Sequence, residues 1–357
     1  MLFSPEPKSS RKDFFDKEEE LERLKKLSSP INLVLGLRRT GKSSLIKICL
    51  NELNLPSIYI DLRKFEAKGY ITYRDFILDF EEKVNGLVRR FPELLNLIRK
   101  VRGVKVFGNE VTFFWSGKNV LKFSDLLEVL NDWADDRVIV VLDEVQELIK
   151  LRGYNLLPSF AYAFDNLRRV KIILSGSKMG LLYRFLKVYD VKTPLYGRAF
   201  NKIELKPLTR DEAVSFLKAG FEELKISFNR FEEVYEKLGG IPGWLTYFGF
   251  RYSEYRDFDK SLAETLDIAR KLILEEFENF LKDKEIAKKR YYTVMRALSR
   301  GGKWNDVKRV IESMEGIRVS DSIISNYLSK LCEISFIEKS DSEYRPTDPL
   351  IGWTFSQ

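Results

Sequence analysis

The stretch Gly36-Leu37-Arg38-Arg39-Thr40-Gly41-Lys42-Ser43 constrains this chain more than any other feature. It follows an apolar run, Ile31-Asn-Leu-Val-Leu35, and leads into a helical pattern from Lys42 to Leu53. The segment matches the phosphate-loop pattern GxxxxGK[ST] without a gap, in the strand-then-helix context that the pattern requires. Its glycines let the backbone curl so that successive N–H groups face phosphate oxygens, and the following helix adds the positive end of its dipole. Gly36 to Gly41, with Ser44 beyond, are expected to wrap the phosphates of a nucleotide. Lys42 would reach the β- and γ-phosphates, and the Ser43 hydroxyl would coordinate Mg²⁺.

The second half of such a site is an acid at the end of a neighbouring strand. Val138-Ile-Val-Val-Leu142 reads as a buried strand that ends in Asp143-Glu144. Buried carboxylates are costly unless a metal or cation meets them. Asp143 is therefore expected to hold the magnesium and Glu144 to polarise an attacking water; the competing reading is a solvated strand end. Further strand patterns lie at Ser57–Asp61, Lys171–Leu174 and Ile203–Leu205, and helical ones at Thr72–Arg90, at Phe123–Asp135 and ending at Asn166-Leu167. Val104 to Trp115 alternates about Gly108-Asn109, a hairpin signal. Apolar strands alternating with helices predict a three-layer α/β fold with a parallel sheet covered on both faces.

Residues 1–12 read as a loose arm, and Asp16 to Leu27 as a short charged helix with Leu21, Leu24 and Leu27 on one face. From Thr209 the pattern is helical to about Lys284. Beyond it, Tyr291–Ser299, Trp304–Met314 and Asp321–Leu331 read as three helices, with Ser320 as N-cap of the third, and Ile337–Arg345 as a polar two-stranded wing. The expected units are 1–206, 207–284 and 285–357, the last a winged helix-turn-helix.

Composition narrows the chemistry. The chain contains no histidine and two cysteines, Cys49 and Cys332, so histidine bases, Ser-His-Asp hydrolysis, a disulfide framework and a four-cysteine zinc site are all excluded. No apolar run approaches the roughly 18 residues of a membrane span. The opening MLFSPEPKSSRKDFFDKEEE has no hydrophobic leader, so a cytoplasmic location is expected. Net charge is +8, and residues 282–345 carry fourteen Lys/Arg against ten Asp/Glu. That balance permits contact with nucleic acid without requiring it.

Taken together, these residues resemble the archaeal P-loop ATPases close to the AAA+ and STAND classes, over nearly the whole chain. Phe15-Asp-Lys-Glu-Glu-Glu-Leu21 is similar to the FxDREKEL box that lies near the adenine in that family, with Lys17 in place of arginine. Asp143-Glu144 matches its Walker B motif. Leu174-Ser-Gly-Ser177 resembles the sensor 1 strand end, which implies a γ-phosphate-reading role for Ser175, or for Ser177 as second choice. Leu195-Tyr-Gly-Arg198 resembles the LYGR box, implying that Arg198 approaches phosphate in its own subunit or a neighbour's. Gly239-Gly-Ile-Pro242-Gly243 resembles the GGxP motif of a helical lid, whose proline packs near the base. No sensor 2 arginine follows this motif, which leans the resemblance toward the STAND side. The tail, Tyr344-Arg-Pro-Thr-Asp348-Pro349 with Trp353 and Phe355, is similar to the family's YxxxDP…WF ending.

The resemblance implies ATP/ADP with Mg²⁺ and a nucleotide-driven switch that hydrolyses ATP. The alternative is a DNA-binding regulator or initiator-like protein in which ATP holds a conformation. Residues 285–357 would meet double-stranded DNA or a protein partner, through Ser322, Ser325, Asn326 and Lys330 in the DNA case, while Trp304 and Tyr327 are expected in the core. A small-molecule kinase ranks last, because it needs neither the lid motif nor the winged tail.

Overall fold

The computed structural model describes residues 1–114 and 121–357, so Trp115, the expected end of the hairpin, lies outside the described residues. Five parallel strands form the central sheet: β1 (Ile31–Gly36), β2 (Ser57–Asp61), β3 (Val138–Asp143), β4 (Val170–Gly176) and β5 (Asn201–Leu205), in the order β2-β3-β4-β1-β5. Their apolar runs divide with period two. Leu33, Leu35, Val140 and Leu142 face a layer containing Phe76, Phe80, Phe123 and Phe160. Val34, Val141, Ile173 and Ile203 face Leu45, Ile46 and Cys49 of the helix Lys42–Leu53, with Leu21 and Leu24 of Glu18–Lys25 beside them. Both faces are covered, which is why no polar alternation marks these strands.

Register brings the functional ends together. Asp61 pairs with Asp143, Leu142 with Leu174, and Val34 with Ser175, so the strand ends that carry the phosphate loop, the two acids and the serines are adjacent. The expected hairpin forms from Val104–Phe107 and Glu110–Phe113. Helix starts are set locally: Thr72 and Asp75 form a reciprocal capping box, as do Thr209 and Glu212.

The lid comprises helices Arg210–Glu223, Phe231–Leu238, Pro242–Tyr255 and Phe258–Leu281. The winged unit follows as Lys288–Ala297, Trp304–Glu315 and Asp321–Glu333. Its sheet has three strands rather than two, because Gly302–Lys303 pairs with Glu343–Pro346 beside Ile337–Ser340. A closing helix, Pro349–Ser356, was not anticipated; Asp348 caps it by accepting from the Leu350 N–H at 2.9 Å. Ser320 occupies the N-cap position of Asp321–Glu333, but its hydroxyl pairs with the Ser322 hydroxyl at 3.1 Å instead of a backbone N–H. Tyr327 is buried as expected, and Trp304 is half-buried with its indole N–H on Ser325 Oγ at 3.2 Å.

Lid and winged unit share one apolar core. Phe277, on the last lid helix, lies 5.3 Å from Phe336 and 4.8 Å from Phe355 between ring centroids. The third winged helix also reaches the ATPase core: a Cβ on Gly180 would lie 2.5 Å from Glu333 Cα, and Arg184 pairs with Glu333 at 3.0 Å.

The N-terminal arm is not loose. Phe3 is fully buried against Phe216 and Phe221, in a slot made by two glycines of neighbouring lid helices. A Cβ on Gly220 would lie 2.3 Å from the Phe3 ring, and one on Gly249 2.5 Å from it. The Leu2 N–H donates to Glu223 at 2.6 Å and the Lys8 N–H to Ser44 Oγ at 2.9 Å, so the arm runs from lid to phosphate loop. A polar segment without periodicity conceals a single anchoring aromatic. Among the described residues, no helix is long and apolar enough to cross a membrane.

Candidate functional site

A cleft of about 470 Å³ opens where the phosphate loop, the arm and the lid meet, within the range of small-ligand sites. Gly41 precedes the loop helix with φ +97°, a left-handed conformation that a side chain would strain. Lys42 is buried; its ammonium donates to the Leu37 carbonyl at 2.9 Å and lies 3.8 Å from Glu144. Burial pushes the Lys42 pKa down, against the opposing pull of Glu144 and Asp143.

The Ser43 hydroxyl donates to Asp143 Oδ2 at 2.8 Å. The Tyr59 hydroxyl donates to the same oxygen, and Ser175 Oγ donates to Asp143 Oδ1. A fully buried carboxylate facing the serine hydroxyl, beside a buried lysine, is the donor set that fits Mg²⁺ with a nucleotide phosphate. Glu144 is held differently. Its backbone is left-handed, with φ +57°, and its N–H donates to Ser175 Oγ at 3.2 Å. Its carboxylate accepts from Ser177 Oγ at 2.5 Å, the Ser177 N–H at 3.1 Å and Gln146 Nε2 at 2.5 Å. Burial works to raise its pKa, but Lys42 and the bonds from Ser177 and Gln146 outweigh this and bring it down to about 2.

The two candidate sensor serines therefore divide their contacts: Ser175 touches Asp143, and Ser177 touches Glu144. Arg198 is not brought into the cleft. Its guanidinium pairs with Asp165 and donates to the Pro194 carbonyl. Pro242 does line the cleft, at the start of its helix. The lid motif is shaped by close approaches: a Cβ on Gly240 would lie 1.9 Å from the Leu208 carbonyl oxygen, and one on Gly243 2.6 Å from Arg39 Cβ. The Gly243 N–H donates to the Arg39 carbonyl at 3.0 Å, and the Arg39 guanidinium stacks 4.2 Å from the Trp244 ring centroid. Trp244 in turn donates to Asp348 of the tail at 2.8 Å. Arg38, Arg39, Thr40, Gly41, Lys42, Ser43 and Ser44 line the cleft; Gly36 and Leu37 do not, although Leu37 supplies the carbonyl that holds Lys42.

Sequence reasoning missed Tyr59, Gln146 and Trp244. Tyr59 reaches Asp143 only because β2 lies beside β3, and nothing in its own strand discloses that neighbour. Gln146, two residues after Glu144, was close enough in sequence to be suspected.

Residues 14–248 match a family model described as an ATPase domain predominantly from Archaea, and residues 285–347 match one for the MCM protein C-terminal winged helix-turn-helix domain. A Walker-type ATPase of Pyrococcus abyssi is 32% identical, covers 100% of each chain and superposes with a TM-score of 0.84. An uncharacterized protein of Methanocaldococcus jannaschii is 29% identical over 210 residues, which are 56% of this chain and 42% of that protein. The chain thus spans less than half the length of that curated relative.

Proposed function

Because the chain belongs to the family of ATPase domains found predominantly in Archaea, we propose that it hydrolyses Mg·ATP as a conformational switch whose output is the winged unit. The carrying observation is the pairing of Ser43 with Asp143 beside a Glu144 that is held ionised next to Lys42. Bound magnesium would neutralise charge on the β- and γ-phosphates. Ser43 and Asp143 would hold it, with Ser175 and Tyr59 orienting the Asp143 carboxylate. Lys42 would leave the Leu37 carbonyl for phosphate oxygens. Glu144, fixed by Ser177 and Gln146, would orient the attacking water. Catalysis of this kind is positioning plus electrostatics.

The units 1–206, 207–284 and 285–357 would act as engine, lid and reader, in a cytoplasmic protein of STAND type. Arg198, tied to Asp165, could meet phosphate only in a neighbouring subunit or after rearrangement. The alternative is a DNA-binding regulator in which ATP holds a conformation. It draws on the winged-helix match and on the exposed Ser322, Ser325 and Asn326, whereas Lys330 is tied to Glu333 at 3.0 Å.

The test is turnover with Mg²⁺, with and without duplex DNA. Glu144→Gln is expected to retain nucleotide and lose about a hundredfold or more in rate, and Lys42→Ala to lose tight binding. Parent-like hydrolysis by both variants would overturn the assignment. Stimulation by DNA, with affinity falling steeply as salt rises, would favour the alternative's reader.

A further inference from the structure

Arg38, in the middle of the phosphate loop, lines the cleft with Lys42 and Glu144 but is turned toward two carboxylates. Glu66, which follows β2, bonds its guanidinium, and Glu276 of the lid helix Phe258–Leu281 lies 2.9 Å from its Nε as an ion pair, while the buried Nε–H itself makes no hydrogen bond. Glu66 has a second cation, Lys178, at 3.1 Å, and Lys178 follows Ser177 directly. Lys178 and Lys150 also share Glu147, at 3.6 and 2.6 Å. The phosphate loop is thus bordered by cations already paired with carboxylates, one of which comes from the lid.

A guanidinium fork accepts carboxylate and phosphate with the same planar geometry. Its two occupants differ in what they lose on leaving. Glu66 would keep Lys178. Among the described residues Glu276 has Arg38 as its ion-pair partner, and it is only 13% exposed, so leaving Arg38 would strand a mostly buried charge and shift the lid helix. The next residue on that helix, Phe277, is fixed between Phe336 and Phe355 of the winged unit.

We propose that Arg38 is the γ-phosphate receptor of this site and that Glu276 is the lid carboxylate it gives up when ATP binds. The proposal rests on the ATPase reading above and adds to it the residue that tells ATP from ADP and the lid contact that responds. Arg38 would supply the cation for this phosphate from the loop itself, since the residues beyond the lid motif that line the cleft, Trp244, Thr246, Tyr247, Ile268 and Leu272, carry no positive charge. ADP, lacking the third phosphate, would leave the Arg38–Glu276 pair in place.

The test is the dissociation constants of Mg·ATP and Mg·ADP, by calorimetry on the full chain, for the parent, Arg38→Gln, Glu276→Gln and Lys42→Ala. Arg38→Gln should weaken ATP about tenfold or more, the worth of a charge-assisted hydrogen bond, and leave ADP within about twofold. Glu276→Gln, by removing the competitor, should tighten ATP about threefold or more without changing ADP. ADP binding reports folding in both variants, and the Glu276 variant carries the test if the Arg38 variant does not fold. If the pair is only a structural clip, each variant changes both nucleotides alike. An unchanged ATP-to-ADP ratio in a chain whose binding depends on Lys42 overturns this inference alone. A parent that binds neither nucleotide overturns the ATPase reading together with it.

Discussion

Glu144 sits in a left-handed backbone, a conformation that costs of order 1–3 kcal/mol for an ordinary residue and persists only where its surroundings impose it. Here they do: Ser175 accepts from its N–H, while Ser177 and Gln146 hold its carboxylate. Its depressed pKa has a consequence for stability. A carboxylate held down to about 2 contributes fully above its ordinary value of 4.5 and loses that contribution as pH falls between the two. Acid unfolding of the parent should therefore be steeper across this window than that of Glu144→Gln, as followed by circular dichroism; parallel curves would mean that Glu144 gains nothing from its neighbours. At this scale the sequence discloses the loop residues, Asp143 and Glu144, because that chemistry is contiguous or sits at a strand mouth. It does not disclose Tyr59, whose meeting with Asp143 depends on strand order, or the Asp165 that occupies Arg198.

The elements follow their local signals closely where apolar periodicity is long. The five strands, the helix that starts at Thr72 and the helix over Lys42–Leu53 all lie where the pattern puts them. Short or irregular elements do not: the closing helix Pro349–Ser356 spans eight residues, and the arm has no period. The arm's attachment is nonetheless specific, because Gly220 and Gly249 leave room only for the Phe3 ring. Phe3→Ala should cost about 3–5 kcal/mol as a cavity. Gly249→Ala should be costly in the parent and much less so beside Phe3→Ala, so a double-mutant cycle by urea unfolding should show strong coupling. Additive costs would place the arm's anchorage elsewhere.

At the scale of the molecule, no break in packing separates the lid helices from the winged unit, since Phe277 of the lid is buried by Phe336 and Phe355. Lid and winged unit should unfold together: amide exchange in helices Phe258–Leu281 and Pro349–Ser356 should open with the same free energy, and distinct values would show two independent bodies. The sheet carries a consequence of another kind. Among the described residues β1 pairs only with β4 and β5, as in Ile31 with Ile172 and Asn32 with Asn201. On a ribosome adding about 5–20 residues per second, the apolar strand that leads into the phosphate loop must wait roughly ten to thirty seconds for its neighbours to be made. During synthesis the strand that leads into the phosphate loop is thus made early and paired late, and the growing polypeptide cannot hold a nucleotide there until β4 and β5 have been added.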